Sequence, residues 1–341
     1  MESTMKSIGV AVIGLGYWGP NLVRNFSTTT GAELLYGCDL DENLCAKTAS
    51  QHPNITVTTD YGKILADEAV QLVAIATPVA THYKLAKLAL EAGKHVFVEK
   101  PMTQTSAESE ELIQLAKDKN LILAIDHPFI FSGVVKKMQD LINSGDIGDV
   151  LYYDSVRINL GLFRSDVNVI WDLLPHDLSI LAEIFTDKPI SVQAIGLDHF
   201  DRNNVDVAYI ALRYPNNVTA HVHVSWTSPV KIRQMILGGT KKMVVVDDVA
   251  PDEKLKLYDR GVDQEQQEKA QSPFQPLYRS GDVVIPKLDQ AEPLAAECAN
   301  VIAAINGEAA LRATGEVGLD IVRILEATDR SLAEGGIKIS L

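Results

Sequence analysis

Between residues 8 and 126, short runs dominated by apolar side chains alternate with segments of helical spacing. The runs fall near 8–13, 33–38, 71–76, 95–98 and 121–125, lengths that suit strands buried on both faces. Lys84-Leu85-Ala86-Lys87-Leu88-Ala89-Leu90, closed by Gly93, carries helical periodicity with a glycine stop, and so predicts a helix connecting two parallel strands. The alternation predicts an α/β domain over 1–126 with a doubly wound parallel sheet. After Asp126 the pattern changes: a helix over 133–143 leads into longer alternating strands near 149–159 and 190–247. These predict a second, α+β domain over 127–341 with a large, mostly antiparallel sheet. Pro215-Asn216-Asn217, between Arg213-Tyr214 and Val218-Thr219, suits a hairpin turn. Asp259 to Pro286 is polar with three prolines and predicts an extended excursion rather than a linker. Helical patterns over 291–306 and 315–333 can cover either domain.

The first apolar run ends in Gly14-Leu15-Gly16-Tyr17-Trp18-Gly19, and a helix ending near Ser27 follows. A strand, glycine turn and helix in that order can cradle a dinucleotide pyrophosphate, as in the Rossmann arrangement. Gly14 allows the tight turn, Gly16 the close approach of backbone to phosphate, and Gly19 close packing of helix on strand. Asp39 ends the second run 20 residues beyond Gly19, where a carboxylate meets the adenine ribose hydroxyls. The alternative is a strand-end turn with an Asp cap. A carboxylate there repels a 2′-phosphate, and no Arg or Lys follows before Lys47, so NAD is favoured over NADP.

Composition narrows the partners. A length of 341 residues exceeds the usual single-core size and agrees with two domains. The formal charge of −14, with no basic block, argues against nucleic acid or an anionic membrane surface and favours a small substrate. Cys38, Cys45 and Cys298 lack metal-ligand or redox spacing and are read as apolar fillers in a reducing compartment. No apolar stretch is long enough for a bilayer and no signal-peptide core is evident, so a cytoplasmic protein is expected.

In such sheets ligands lie beyond the carboxyl ends of the strands, where Ala76-Thr77-Pro78 and Glu99-Lys100-Pro101 fall. A lysine beside a nicotinamide and a carbinol can polarise the oxygen or relay a proton; the alternative is a solvated Lys100 paired with Glu99. Asp172 and His176 are four apart, on one face if both are helical, so the carboxylate can orient an imidazole acting as general base. The structural alternative makes Asp172 an N-cap and Pro175 a first-turn proline. His82 opens a predicted helix, either as a cap residue or against cofactor. His221 and His223 share one face of a predicted strand, but no third ligand accompanies them, so no metal is expected and a polar sheet face or subunit contact is preferred.

Together the glycine motif, Ala76-Thr77-Pro78 with His82, Glu99-Lys100-Pro101 and Asp172 to His176 resemble the Gfo/Idh/MocA oxidoreductase family. The resemblance implies hydride transfer at a sugar or cyclitol carbon, with Lys100 polarising or relaying, His176 exchanging the hydroxyl proton and Asp172 orienting His176. It assigns Tyr17, Trp18, Ala76, Thr77, Pro78, His82, Glu99 and Lys100 to the cofactor, beside Gly14, Gly16, Gly19 and Asp39. The chain departs from the inositol- and glucose-type pattern, with Asn168-Val169-Ile170-Trp171 and Pro175 where glycines are usual. Gly16-Tyr17-Trp18-Gly19-Pro20-Asn21 and Arg157-Ile158-Asn159-Leu160-Gly161 look like the nucleotide-sugar branch, that of UDP-N-acetylhexosamine-type 3-dehydrogenases. Lys100, His127, Arg157 and Asn159, with Asn168, Trp171, Asp172 and His176, are the implied substrate residues. Arg157 suits a phosphate or carboxylate, or else a structural ion pair. The alternatives are a non-catalytic dinucleotide-binding regulator, or a ketoreductase or redox-neutral NAD enzyme on a free sugar or cyclitol. Apolar alternation in the second sheet suggests a homo-oligomer, a dimer or tetramer.

Overall fold

The computed structural model describes residues 7–161, 163–164, 166–200, 204–262 and 278–341. The chain forms two compact units, Met1–Phe131 with Ala291–Arg323, and Ser132–Gln290 with Ile324–Leu341. The division falls at Phe131/Ser132, and each unit also includes a C-terminal segment.

The first unit runs β1 (Ile8–Ile13), α1 (Gly19–Phe26), β2 (Ala32–Cys38), α2 (Glu42–Gln51), β3 (Thr56–Thr58) and α3 (Tyr61–Ala66). It continues with β4 (Leu72–Ile75), α4 (His82–Glu91), β5 (His95–Glu99), α5 (Ser106–Asp118) and β6 (Leu123–Asp126). The strands form one parallel sheet in the order β3-β2-β1-β4-β5-β6. Every residue of β1 and β4 is buried, as helices on both faces require. One face packs Val73, Ile75, Val96 and Val98 with Ala86, Leu90 and Leu112 of α4 and α5. The other packs Val10, Val12 and Phe97 with Leu22 and Phe26 of α1 and with Leu294, Cys298, Val301 and Ile302. Those last four lie on the helix Pro293–Ile305, which is why this late segment belongs to the first unit. Thr105 opens α5 in a reciprocal capping box with Glu108, satisfying donors that a helix start leaves unpaired. The strand order reverses between β1 and β4, and a crevice beyond their carboxyl ends is where such sheets bind ligands.

The second unit comprises α6 (Gly133–Asn143), β7 (Val150–Leu160), α7 (Val169–Ile184), β8 (Ser191–Leu197), β9 (Val207–Arg213) and β10 (Thr219–Ser225). It closes with β11 (Thr227–Gly239), β12 (Met243–Asp247), β13 (Leu255–Val262), β14 (Tyr278–Val284) and β15 (Ile339–Ser340). The helix Gly315–Ala333 contributes its first half to one unit and its second half to the other. The sheet order is β14-β13-β12-β11-β7-β10-β9-β8-β15, antiparallel throughout except between β7 and β10. Burial alternates along β9 and β10, with Ala208, Ile210, Leu212, Val222 and Val224 inward. Asn216 and Asn217 take positive φ at the predicted hairpin, a conformation asparagine tolerates. Of the excursion expected over Asp259–Pro286, the ends are the paired strands β13 and β14, and 263–277 lie outside the described residues.

Candidate active site

The three glycines of the turn differ in the space around each. Gly14 has φ +90°, and a Cβ there would sit 2.7 Å from the Ala76 carbonyl carbon. A Cβ on Gly19 would come within 1.9 Å of the Gly14 carbonyl oxygen, so the first turn of α1 can close on the loop only as glycine. Gly16 faces nothing within 4 Å, so its missing side chain serves no packing need of the chain and leaves backbone open to a ligand. A dinucleotide pyrophosphate fits that cradle. Asp39 accepts from Leu15 N at 2.7 Å through Oδ2 and from Asp41 N at 2.9 Å through Oδ1. It thus ties the end of β2 to the glycine turn as well as standing where a ribose is expected.

Tyr17 is 86% exposed, while the Trp18 indole turns inward and donates through Nε1 to Asp126 Oδ2 at 2.6 Å. Ala76 and Thr77 are half-buried and Pro78 exposed at the end of β4; Thr77 and Thr81 share a hydroxyl hydrogen bond. His82 is buried, with Nδ1 at 2.9 Å from the Pro101 carbonyl and Nε2 at 2.8 Å from the Thr77 carbonyl. Its ring therefore joins the loops after β4 and β5. Glu99 ends β5 and Lys100 follows it, half-buried, at a cis peptide to Pro101.

Around Lys100 the first unit gathers buried polar groups that sequence patterning did not single out. Asp126 at the end of β6 and Glu297 on Pro293–Ile305 are both buried, and Glu297 reaches the N–H of the residue after Asp126, so the two carboxyls lie beside each other. Burial raises Asp126 to about 6, against the donation from Trp18 and the charge of Lys100, and burial with Asp126 beside it raises Glu297 well above the usual carboxylate range. His127 is buried with neither ring nitrogen hydrogen-bonded among the described residues, while its backbone N–H donates to Glu297 Oε1 at 2.7 Å. Burial, and then Lys100, hold its imidazole down at about 3, so the ring is neutral.

In the second unit Asn168, rather than Asp172, caps α7: its Oδ1 accepts from Ile170 N and Trp171 N, both at 3.0 Å. Pro175 lies inside the helix, not in its first turn, and withholds the N–H that would meet the Trp171 carbonyl. Asp172 and His176 consequently both lie within α7, one turn apart on one face. Asp172 accepts from Trp226 Nε1 at 3.0 Å and is ion-paired to Arg164 at 3.6 Å. Trp171 Nε1 donates to Asp329 Oδ2 at 2.7 Å, and Asn168 Nδ2 lies 3.5 Å from the same carboxylate. Arg157 is 4% exposed, its Nε bound to Asp177 Oδ2 at 2.7 Å, which realises the ion-pair alternative. Asp177 also accepts from Ser155 Oγ and Tyr153 Oη, so one buried carboxylate anchors α7 to three successive inward positions of β7. Asn159, the next position on that face, is half-buried. His221 and His223 flank the Tyr209 ring, with His223 stacked at 4.4 Å and His221 at 6.4 Å. Among the described residues no three His, Cys, Asp or Glu side chains are grouped as a metal site would need.

Thus the first unit brings together the glycine turn, Asp39, Lys100 and His127, and the second brings together Asn168, Trp171, Asp172 and His176. Sequence reading missed Asp126, Glu297, Asp177, Trp226 and Asp329. Only Asp126 carried a signal, as a charged residue closing an apolar strand.

Residues 8–127 match an oxidoreductase family with an NAD-binding Rossmann fold, GFO/IDH/MocA, and residues 135–245 match the C-terminal domain of the same family. An uncharacterized oxidoreductase of Escherichia coli (strain K12), YdgJ, is 31% identical over 69% of this chain and 65% of its own length. A UDP-N-acetylglucosamine 3-dehydrogenase of Acidithiobacillus ferrooxidans is 31% identical over 56% of this chain and 59% of its own. The chain thus aligns with less than two thirds of either relative. A solved structure of that Acidithiobacillus ferrooxidans enzyme superposes with TM-score 0.81 at 23% identity, covering 96% of this chain and 98% of the other. Motif, sheet order and both matched segments agree, and the chain belongs to the Gfo/Idh/MocA oxidoreductase family.

Proposed function

We propose that this oxidoreductase is an NAD-dependent dehydrogenase that moves a hydride to or from a ring carbon of a sugar, of the nucleotide-sugar 3-dehydrogenase type. The observation that carries the reading is the placement of Lys100: it follows β5 at the carboxyl edge of the sheet whose β1 opens into the Gly16 cradle. That edge is where a nicotinamide and a carbinol meet in folds of this class. Bound NAD supplies the hydride acceptor. Gly14, Gly16 and Gly19 would admit its pyrophosphate, Asp39 its ribose, and the carboxylate favours NAD over NADP.

The chain's own groups do the rest. His176 takes the proton of the substrate hydroxyl, Asp172 orients the imidazole from one turn away, and the Lys100 ammonium stabilises the developing alkoxide. Trp226 and Arg164 hold Asp172 in turn. Neutral His127 offers its ring to a substrate hydroxyl, while Asn168 and Trp171 shape the start of α7. The outward row of Ile195, Leu197 and Tyr209 supports a homo-oligomer built on the nine-stranded sheet. Among the described residues no helix is long and apolar enough to cross a membrane.

The test is a single-turnover assay of NADH absorbance, with enzyme stoichiometric to NAD, across UDP-N-acetylhexosamines, their uronic acids and free polyols. A rise with a nucleotide sugar that is lost in Lys100→Ala and His176→Ala, with NADH binding retained in both, supports the reading. Unchanged turnover in Lys100→Ala on a turned-over substrate overturns the role of Lys100. NAD binding without hydride transfer in either direction favours a non-catalytic regulator.

A further inference from the structure

We propose that Asp126 and Glu297 hold one proton between them and that this acid–carboxylate pair positions the dinucleotide loop through Trp18. The inference rests on the dinucleotide part of the proposed function alone, not on the sugar. Asp126 is 1% and Glu297 0% exposed. Each has one oxygen engaged by an outside donor, Asp126 Oδ2 by Trp18 Nε1 at 2.6 Å and Glu297 Oε1 by the His127 N–H at 2.7 Å. The remaining oxygens, Asp126 Oδ1 and Glu297 Oε2, are buried and meet no hydrogen-bond donor among the described residues. The two carboxyls lie beside each other, since Glu297 takes the N–H of the residue that follows Asp126. Two anions meeting across acceptor atoms in a dry interior repel, and each leaves an oxygen unsatisfied. One proton resolves both problems, because the O–H of one carboxyl then donates to the other.

The surroundings say where that proton sits. Lys100, after β5, acts on Asp126 and favours its ionised form, whereas Glu297 faces Asp126 and Glu99, both of which disfavour a second charge. Neutral His127 follows β6, and the Cys298 thiol, raised by burial, lies next along the helix, so neither supplies a cation. The proton therefore belongs to Glu297, and Asp126 remains the anion that Trp18 grips. Trp18 lies inside the glycine motif, so the pair fixes the turn that receives the pyrophosphate. Both carboxylates are positioning residues.

Infrared difference spectra and NADH titrations of the full chain test this without any sugar. At neutral pH the spectrum of wild type minus Glu297→Gln is expected to show the C=O stretch of a protonated carboxylic acid, shifting in heavy water. NADH affinity of the wild type is expected to fall about tenfold as pH rises from neutral into the alkaline range and the shared proton leaves. Glu297→Gln keeps an N–H donor towards Asp126, so it is expected to stay within about threefold of wild type at neutral pH and to lose the alkaline decline. Glu297→Ala is expected to bind about tenfold more weakly throughout. Absence of the acid band from the difference spectrum, or an alkaline decline in Glu297→Gln equal to that of wild type, overturns the proposal. Failure to turn over any sugar leaves both readouts intact and counts only against the substrate reading.

Discussion

Gly14, Gly16 and Gly19 look alike in the sequence, yet the space around each differs. A Cβ on Gly19 meets backbone oxygen at 1.9 Å, so Gly19→Ala is expected to destabilise the fold by about 2 kcal/mol or more, read as a lowered Tm. Gly16→Ala meets nothing, so its Tm should match wild type while NADH binding by titration weakens at least tenfold; equal binding would remove Gly16 from the phosphate site. Asp126 and Glu297 titrate higher in the fold than in the unfolded chain, so folding favours their protonated forms. That stabilisation is complete below the ordinary carboxylate range and is lost as pH rises through about 6 for Asp126 and further for Glu297. The Tm of wild type should therefore fall more steeply above pH of about 6 than that of Glu297→Gln, where an amide hydrogen replaces the shared proton. Of the residues involved, the glycines and Asp39 were legible because their work is local. Glu297 was not, because 170 residues separate it from the His127 N–H it accepts from.

At the scale of elements, α7 carries the proposed base and is held by two buried or half-buried carboxylates outside the sequence reading, Asp177 within it and Asp329 on Gly315–Ala333. Asp177→Ala would strip Arg157 of its counter-ion at a position almost without solvent. Such a loss is expected to be about 3–5 kcal/mol, measured by denaturant unfolding, whereas a near-neutral result would show the guanidinium reaching water. The strands of the first unit were readable from their runs, and α7 from its apolar spacing. Its start was not: Asn168 and Asp172 are both competent caps, and only the chain geometry shows that the Asn168 side chain takes the free N–H groups. Pro175 likewise suggested a first turn, and the helix instead accommodates it in its interior.

At the scale of the whole molecule, the outward row on β8 and β9 leads to an assembly expectation. Tyr209→Glu should lower the mass seen by light scattering if that face joins subunits; an unchanged mass would place any interface elsewhere. The partition of the chain is also decided at this scale. Pro293–Ile305 and Gly315–Ala333 read as apolar helices in the sequence, and their periodicity names a buried face without naming the sheet that buries it. Leu294, Val301 and Ile302 go to the parallel sheet, and the latter half of Gly315–Ala333 to the second unit.

The sequence by itself determined what depends on neighbours in the chain: the alternation that makes a parallel sheet, the glycine spacing, the Lys100-Pro101 corner, and the one-turn separation of Asp172 and His176. Tertiary structure alone decided what depends on distant partners meeting in a dry interior. It paired Asp126 with Glu297, turned Trp18 inward, engaged Arg157 with Asp177 and set Trp226 on Asp172. The reason is physical: periodicity reports which face of an element avoids water, but a buried polar group is stable only with a partner, and that partner is chosen by the fold.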